Sequence, residues 1–340
     1  MAVGNGLVDV SVGWGFVGTG GIAKAVSAAL EQAEGGHLAA VASRDLTRAQ
    51  EFAQARGVSA AYGGPDAVEQ LLADPGVDVV YIANTHPQHY APARAALLAG
   101  KPVLVEKPMT VSLAATQDLF DLAEKQSVFL MEAYWTRFLP GTRALLEQIE
   151  NGAIGPVQSV HADLGFTVPE DASRFHDPEI GGGSLLDLGP YPVGLAVTLF
   201  GSATAVRAVG SLTESGVDRH IALAVSFEGG QVAALSTTMV ARSASKAWIE
   251  GSKGLIEIAE PVHSVPSFTV LTGEEPTVHE HPVEHGWKYM LEHVHECLGA
   301  GLTASPLIGR KWSIDVATIF EEALTQVGVT RNLETLPDQG

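Results

Sequence analysis

Cysteine is all but missing from this chain. Cys297 stands alone, so no disulfide can form within it and a reducing compartment is expected. Long apolar runs are missing too, and none reaches the roughly 20 residues that a membrane-spanning helix needs. The opening stretch, MAVGNGLVDVSVGWGF, has neither the basic segment nor the continuous apolar segment of a secretory signal. A cytoplasmic protein is the expectation. Positive charge is scarce: Lys and Arg number 20 against 39 Asp and Glu, for a formal net charge of −19. So acidic a surface repels nucleic acid and anionic lipid, and no Lys/Arg cluster offsets it. A phosphorylated ligand must then be held locally, by backbone N–H groups and a few placed cations.

With 340 residues the chain is long for one core, and two domains are expected. The segment DVSVGWGFVGTGGIAKAVSAALEQ (9–32) changes period midway. Val10, Val12, Trp14 and Phe16 alternate with small residues as in a strand, and Ile22, Ala25, Val26 and Ala29 then recur at helical spacing. Two glycine patterns overlap at the joint. Gly13-x-Gly15-x-x-Gly18 puts the tight turn inside the strand, whereas Gly18-x-Gly20-x-x-Ala23 puts it where strand becomes helix. The second register is preferred. Gly18 then makes the turn, Gly20 admits a pyrophosphate to the backbone, Ala23 allows close packing, and the loop Gly18, Thr19, Gly20, Gly21, Ile22 faces the phosphates. The helix N-terminus supplies free N–H groups and a favourable dipole.

A glycine turn alone is a weak indication of a dinucleotide, since a tight strand–helix connection needs one as well. Its context strengthens it. HLAAVAS (37–43) follows at βαβ distance, then the helical LTRAQEFAQARG, then VDVVYIAN (77–84), apolar almost throughout, then a helix around 88–99 that leads to KPVLVEKP. Such alternation predicts a doubly wound parallel sheet covered on both faces. At the end of its second strand stands Ser43-Arg44-Asp45. Ser43 and Arg44 suit the 2′-phosphate of NADP. Asp45 suits the ribose of NAD or, as preferred here, the N-cap of the next helix. NADP is favoured, with NAD possible.

The stretches GFVGTGGIA, ASRDLTRAQEFA, YIANTHPQHYAPARAALLAGKPVLVEKP and GGGSLLDLGPYPV resemble the glucose–fructose oxidoreductase/inositol dehydrogenase/MocA family from about residue 9 to 327. EAYWTRFLP (132–140) and RFHDPEIGGGSLLDLGPY (174–191) are most similar to its dihydrodiol dehydrogenase and NADP-linked xylose dehydrogenase branch. The resemblance implies an α/β chain: a Rossmann domain over 1–135, an α+β domain over 136–305 with a large open, mainly antiparallel sheet, and a helix in 306–340 that returns to the first domain. HIALAVSF, QVAALSTTMV, KAWIEGS and GLIEIA fit successive strands of that sheet. An open sheet must cover one face, and in the family a second subunit often covers it, so a homodimer or dimer of dimers through it is expected.

The resemblance also implies a site. Lys107, in Glu-Lys-Pro, lies past the carboxyl end of a parallel strand, where ligands of such sheets bind. In the family this lysine touches substrate hydroxyl and cofactor, and its bond to proline is often cis. Asn84, Thr85, His86, His89 and Glu106 fall where the family meets the nicotinamide end, although a histidine there could simply cap a helix. Trp135, Arg137, Phe166, Arg174 and Phe175 match substrate-side positions. Most of the family has histidine where this chain has Tyr191, and the sugar and dihydrodiol branches have tyrosine.

Oxidising a secondary alcohol needs a proton acceptor near its oxygen. Tyr191 is expected as the proton shuttle, Lys107 as its electrostatic partner and Asp187 as the substrate orienter, with the Lys107/Tyr191 division left open. A helix beginning near Asp187 would set Asp187 and Tyr191 on one face. Burial and a nearby cationic ring lower a lysine pKa, and an ammonium beside a phenol makes the phenol more acidic. Glu106 and Lys107, adjacent on an extended chain, point apart and are not expected to pair.

HEHPVEH (279–285) and HVHE (293–296) invite a metal. They lack convergent ligands and sulfur, however, and are read as exposed polar faces with no metal site. The leading function is an NADP(H)-dependent dehydrogenase of a sugar or cyclic polyol, with an aldose 1-dehydrogenase first, a trans-dihydrodiol dehydrogenase second and a sugar ketoreductase third. A non-catalytic dinucleotide sensor would require a broken Lys107/Asp187/Tyr191 set, and all three are present.

Overall fold

A computed structural model of the chain describes residues 11–169, 172–273 and 275–337. Val10, the first residue of the expected alternation, lies outside them. In the first half the strands are β1 (Val12–Val17), β2 (Gly36–Ser43), β3 (Ala60–Gly63), β4 (Val79–Ile82), β5 (Val103–Val105) and β6 (Leu130–Glu132). Between them run α1 (Gly21–Leu30), α2 (Leu46–Ala55), α3 (Ala67–Ala73), α4 (Tyr90–Leu98) and α5 (Leu113–Gln126). The strands pair in parallel in the order β3-β2-β1-β4-β5-β6, so the order reverses between β1 and β4. The carboxyl ends of those two strands open a crevice, the usual dinucleotide site of such sheets.

β1 is buried from Gly13 to Val17 because the sheet is covered on both faces. Trp14, Phe16 and Tyr81 of β1 and β4 are fully buried. Gly13 and Gly15 are strand residues chosen for space: a Cβ on Gly13 would lie 1.9 Å from the Gly76 carbonyl oxygen, and one on Gly15 would lie 2.7 Å from Leu71 Cδ2. The turn therefore belongs to Gly18, whose φ is +114°. α2 is capped by Asp45, whose Oδ1 accepts from the Arg48 amide at 3.2 Å, which is the preferred reading of that residue. β3 and β6 are too short to carry a period, and the sequence did not announce them.

The second half begins with α6 (Pro140–Glu150), β7 (Val157–Gly165), α7 (Ser173–His176), α8 (Ser184–Leu188) and α9 (Pro190–Phe200). Seven strands follow: β8 (Ala203–Leu212), β9 (Asp218–Phe227), β10 (Val232–Thr238), β11 (Ala247–Gly251), β12 (Gly254–Ile258), β13 (Ser267–Leu271) and β14 (Thr277–Glu280). α10 (Lys288–Gly299) and α11 (Arg310–Val327) end the order of elements. Among the described residues, eight strands form one sheet in the order β14-β13-β12-β11-β7-β10-β9-β8, antiparallel except between β7 and β10. α11 packs against α5 of the first half and against β8 and α9 of the second.

Two expectations about this half need correction. α8 ends at Leu188 and α9 starts at Pro190, so no single helix begins at Asp187; that residue sits in the last turn of one helix and Tyr191 in the first turn of the next. The helix break is consistent with Pro190 and Pro192 flanking the tyrosine, since proline is tolerated in a first turn and not in a helix interior. The histidines of HVHE are not an exposed polar face. His293 is buried and bonds Ser305 Oγ at 2.8 Å, while His295 Nε2 accepts from the Trp14 indole at 2.8 Å. His279 and His281 stack on Phe268 and are half-buried. Their neighbours are tertiary, which local spacing does not reveal.

Candidate active site

The crevice opens into a cleft of about 1140 Å3 between the two halves. On one wall the β1–α1 turn brings Gly18, Thr19, Gly20, Gly21 and Ile22 together. A Cβ on Gly20 would meet nothing within 4 Å, and no side chain caps the first turn of α1. The open backbone and free N–H groups suit a pyrophosphate. Ser43 and Arg44 stand at the end of β2, and Arg48, one helical turn on, lines the same wall. Among the described residues neither arginine pairs with a carboxylate. Arg48 was missed by sequence reading, although its spacing of four from Arg44 would have shown it. Asn84, Thr85, His86 and His89 follow β4, and Thr85 Oγ1 is buried without a hydrogen-bond partner. A buried orphan hydroxyl is uncommon, and a bound nucleotide offers it a partner. The residues present therefore fit a dinucleotide.

His89 is no helix cap of the usual kind. Its ring is fully buried between the Pro108 carbonyl, 3.0 Å from Nδ1, and the Asn84 carbonyl, 3.1 Å from Nε2. Burial lowers its pKa to about 4, so a neutral ring donates to only one of the two. His86 reaches across to the second half, where Nδ1 donates to the Gly181 carbonyl at 2.9 Å and Nε2 lies 4.0 Å from Asp187 Oδ1. Burial holds its pKa at about 3.

β5 delivers Glu106 and Lys107 into the cleft, and the Lys107–Pro108 peptide is cis. Glu106 does not pair with the lysine side chain. Its Oε1 accepts from the Tyr81 hydroxyl at 2.5 Å and its Oε2 from the Lys107 amide at 3.1 Å. The Lys107 ammonium turns to α8, donating to the Asp187 main-chain carbonyl at 2.6 Å and lying 3.5 Å from Asp187 Oδ1. Arg174 Nη2 donates to the same Oδ1 at 2.5 Å. Burial opposes ionisation of Asp187, but Lys107 and Arg174 outweigh it and bring its pKa to about 2.

The electrostatics reverse two expectations. Burial pulls the Lys107 ammonium down, yet the charges of Tyr191, Asp187 and Glu106 overcome it, and its pKa lies above the ordinary lysine value. Burial raises the Tyr191 phenol above its ordinary value, and the nearby ammonium opposes this without reversing it. Desolvation is stronger than one cation already shared with Asp187. Lys107 Nζ is 5.1 Å from the centre of the Tyr191 ring. The Tyr191 oxygen accepts from the Trp135 indole at 3.2 Å, which leaves the phenolic proton free to point elsewhere.

Phe166, Arg174 and Phe175 line the mouth, with the Arg174 guanidinium 5.0 Å from the Phe175 ring centre. Trp135 does not line the cleft; it stands behind Tyr191 as a hydrogen-bond donor. Arg137 is not brought there either. It is half-buried, with Tyr134, Arg143 and Glu150 as its charged or polar surroundings, because the short helical turn from Trp135 to Phe138 points alternate side chains apart. His263 and Trp287 complete the wall. His263 lies 5.0 Å from the Tyr191 ring, and burial together with Lys107 lowers its pKa to about 4. Both come from loops of the second half with no local motif to betray them.

A doubly wound domain whose glycine turn and strand-end lysine face a carboxylate and a tyrosine from two helices of the second half defines an NAD(P)-dependent oxidoreductase. Residues 12–134 match the oxidoreductase family, NAD-binding Rossmann fold, and residues 142–257 match the Gfo/Idh/MocA C-terminal domain, so the chain belongs to the Gfo/Idh/MocA family. It is 36% identical over 332 residues to trans-1,2-dihydrobenzene-1,2-diol dehydrogenase of Xenopus tropicalis, covering 93% of this chain and 98% of that one. The mouse enzyme of the same name is 37% identical over 329 residues, covering 93% and 97%. The crystal structure of the aldose-aldose oxidoreductase of Caulobacter crescentus, complexed with glycerol, superposes with a TM-score of 0.86 at 25% identity, over 93% of this chain and 97% of that one.

Proposed function

We propose that the chain is an NADP(H)-dependent dehydrogenase that oxidises a ring carbinol of an aldose, with Lys107, Tyr191 and Asp187 handling the proton. The observation that carries this reading is the convergence of the Lys107 ammonium, the Asp187 carboxylate and the Tyr191 phenol at one end of a cleft whose other end holds the open glycine turn and two arginines that pair with no carboxylate among the described residues. A bound nicotinamide would supply the acceptor for the hydride that leaves the substrate carbon. The chain's own residues do the rest. The Gly18–Ile22 turn holds the pyrophosphate, and Ser43, Arg44 and Arg48 hold the ribose phosphate. Thr85, His86 and Glu106 border the nicotinamide end.

The substrate hydroxyl sits against Lys107 and Tyr191. The ammonium stabilises charge developing on its oxygen, and the phenol oxygen, already fixed by Trp135, exchanges the proton. Asp187 keeps Lys107 charged and aimed. Among the functions the fold allows, the charged and hydrogen-bonding inner wall favours a polyol. A trans-dihydrodiol is the second reading, supported by the two phenylalanines at the mouth, one of them 42% exposed, and by the names of the Xenopus and mouse relatives.

A homodimer through the open sheet is part of this reading. Its outward face carries small or apolar residues, Ala222, Ala224, Val232 and Ala234, on neighbouring strands.

Reduced-nicotinamide absorbance with NADP+ or NAD+ and a panel of aldoses, inositols and cyclic trans-diols tests the reading. Turnover of an aldose with NADP+ is expected. Preference for NAD+ would move Asp45 to the ribose, and turnover of diols alone would select the second reading.

A further inference from the structure

A buried acid outside the cleft, Asp218, holds the start of α8, the helix that carries Asp187. α8 is five residues long, too short to hold itself, and its N-cap is Gly183, which has no side-chain oxygen to offer. The oxygen comes instead from a different element. Asp218, the first residue of β9, has no exposed surface, and its Oδ2 accepts from the Ser184 hydroxyl at 2.6 Å and the Leu185 amide at 2.7 Å. Ser184 Oγ is also 2.9 Å from Thr237 Oγ1 on β10, so the start of α8 is tied to two strands of the second sheet.

Gly183 is required for this contact. Its φ is +115°, and a Cβ there would come within 2.4 Å of Asp218 Oδ1. The last glycine of GGGS thus makes room for the acid. A carboxylate buried this deeply is costly unless it is repaid by donors, and its two donors both belong to α8. Three residues beyond Ser184, the same short helix presents the Asp187 carbonyl and carboxylate to Lys107.

We infer that Asp218 is a positioning residue for turnover, fixing α8 so that Asp187 meets the Lys107 ammonium. The inference rests on the reading of Lys107 and Asp187 given above. Asp218 Oδ1 has no hydrogen-bond partner, so Asp218→Asn can keep the Oδ2 acceptor and place its amide on the free side, whereas Asp218→Ala removes the tie.

The test compares wild type, D218N, D218A and K107M for kcat, KM, the pH profile of kcat and NADPH affinity by fluorescence. A displacement of the helix by about 1 Å is worth up to about 100-fold in rate. D218A is expected to lose 10- to 100-fold in kcat, to shift the limb of the pH profile that depends on Lys107, and to keep NADPH affinity within about threefold. D218N is expected to recover most of kcat. If D218A does not fold, S184A, which removes one of the two donors, takes its place, with a several-fold loss in kcat expected at unchanged NADPH affinity. Wild-type kcat and pH profile in D218A (or in S184A), with K107M inactive, would overturn the positioning role alone. Parallel loss of kcat and NADPH affinity in D218A and D218N would overturn it too. Full activity in K107M would instead overturn the reading of the lysine.

Discussion

Lys107 Nζ donates to the main-chain carbonyl of Asp187 at 2.6 Å, and the side-chain oxygen of the same residue lies 3.5 Å away. One residue of the second half thus takes the ammonium with both its backbone and its side chain. This joins the Rossmann domain to helix α8 of the second half within the cleft. The Asp187 carboxylate also favours the protonated lysine, against the effect of burial.

Tyr191 is the group through which the proton is expected to pass. Tyr191→Phe keeps the ring and removes the hydroxyl, and it should lower kcat by about 100- to 10,000-fold, the usual worth of a general acid–base group. Trp135→Phe removes the indole donor together with part of the buried ring. Since that donor favours phenolate, its loss raises the phenol pKa further and moves the alkaline rise in oxidation rate to higher pH. Rate–pH profiles of the two variants check both statements, and an unmoved profile in W135F would count against Tyr191 as the shuttle.

The proposed preference for NADP rests on Arg44 and Arg48. A charge-assisted hydrogen bond contributes about 1.5–3 kcal/mol, and each 1.4 kcal/mol is about tenfold in affinity. Replacing either arginine with alanine should raise KM for NADP+ by about 10- to 100-fold and leave KM for NAD+ within about twofold. Equal effects on both cofactors would remove the 2′-phosphate from this corner.

Glu132 gives a pH dependence with a defined sign. It is buried at the end of β6, its Oε1 accepts from the Met109 amide at 3.0 Å, and burial raises its pKa to about 7. An unfolded glutamate titrates near 4.3. Between those values the folded protein holds a proton that the unfolded chain has released. Stability from this group is therefore full below about pH 4, falls as pH rises, and levels off above about 7. Glu132→Gln keeps the acceptor oxygen and never ionises. Relative to wild type it should gain stability between pH 5 and pH 8, by a few kcal/mol at about 1.4 kcal/mol per pKa unit. Urea unfolding at the two pH values measures the gain, and an equal difference at both would exclude Glu132 as its source.

The parts of this molecule that were legible beforehand are those written in local pattern. The change of period at Gly18, the apolar run of β4 and the Glu-Lys-Pro ending of β5 announce the parallel sheet and the crevice. Asp45 announces its helix cap. The register of the glycine turn is legible because Gly13 and Gly15 lie inside β1 while Gly18 stands just past its end. What the sequence hid is tertiary. His263 and Trp287 reach the wall from loops with no motif. Arg137 misses the cleft because a single turn after Trp135 faces it elsewhere, whereas the helix break at Gly189 is written locally, in Pro190 and Pro192. The two reversed pKa expectations turn on the balance of burial against neighbouring charge, which burial wins at Tyr191 and the charges win at Lys107. Pairwise proximity to a charge is readable from neighbouring motifs, whereas the desolvation that opposes it is a property of the assembled fold.

The central claim is that the Lys107 ammonium acts on the substrate oxygen during turnover. The most direct test is the rate of NADPH formation by Lys107→Met at saturating NADP+, measured alongside NADPH affinity. The account predicts a loss of at least about 1,000-fold in kcat, with NADPH affinity within about threefold of wild type, since the lost charge stabilises the reacting oxygen. A variant that keeps kcat within tenfold of wild type would contradict it.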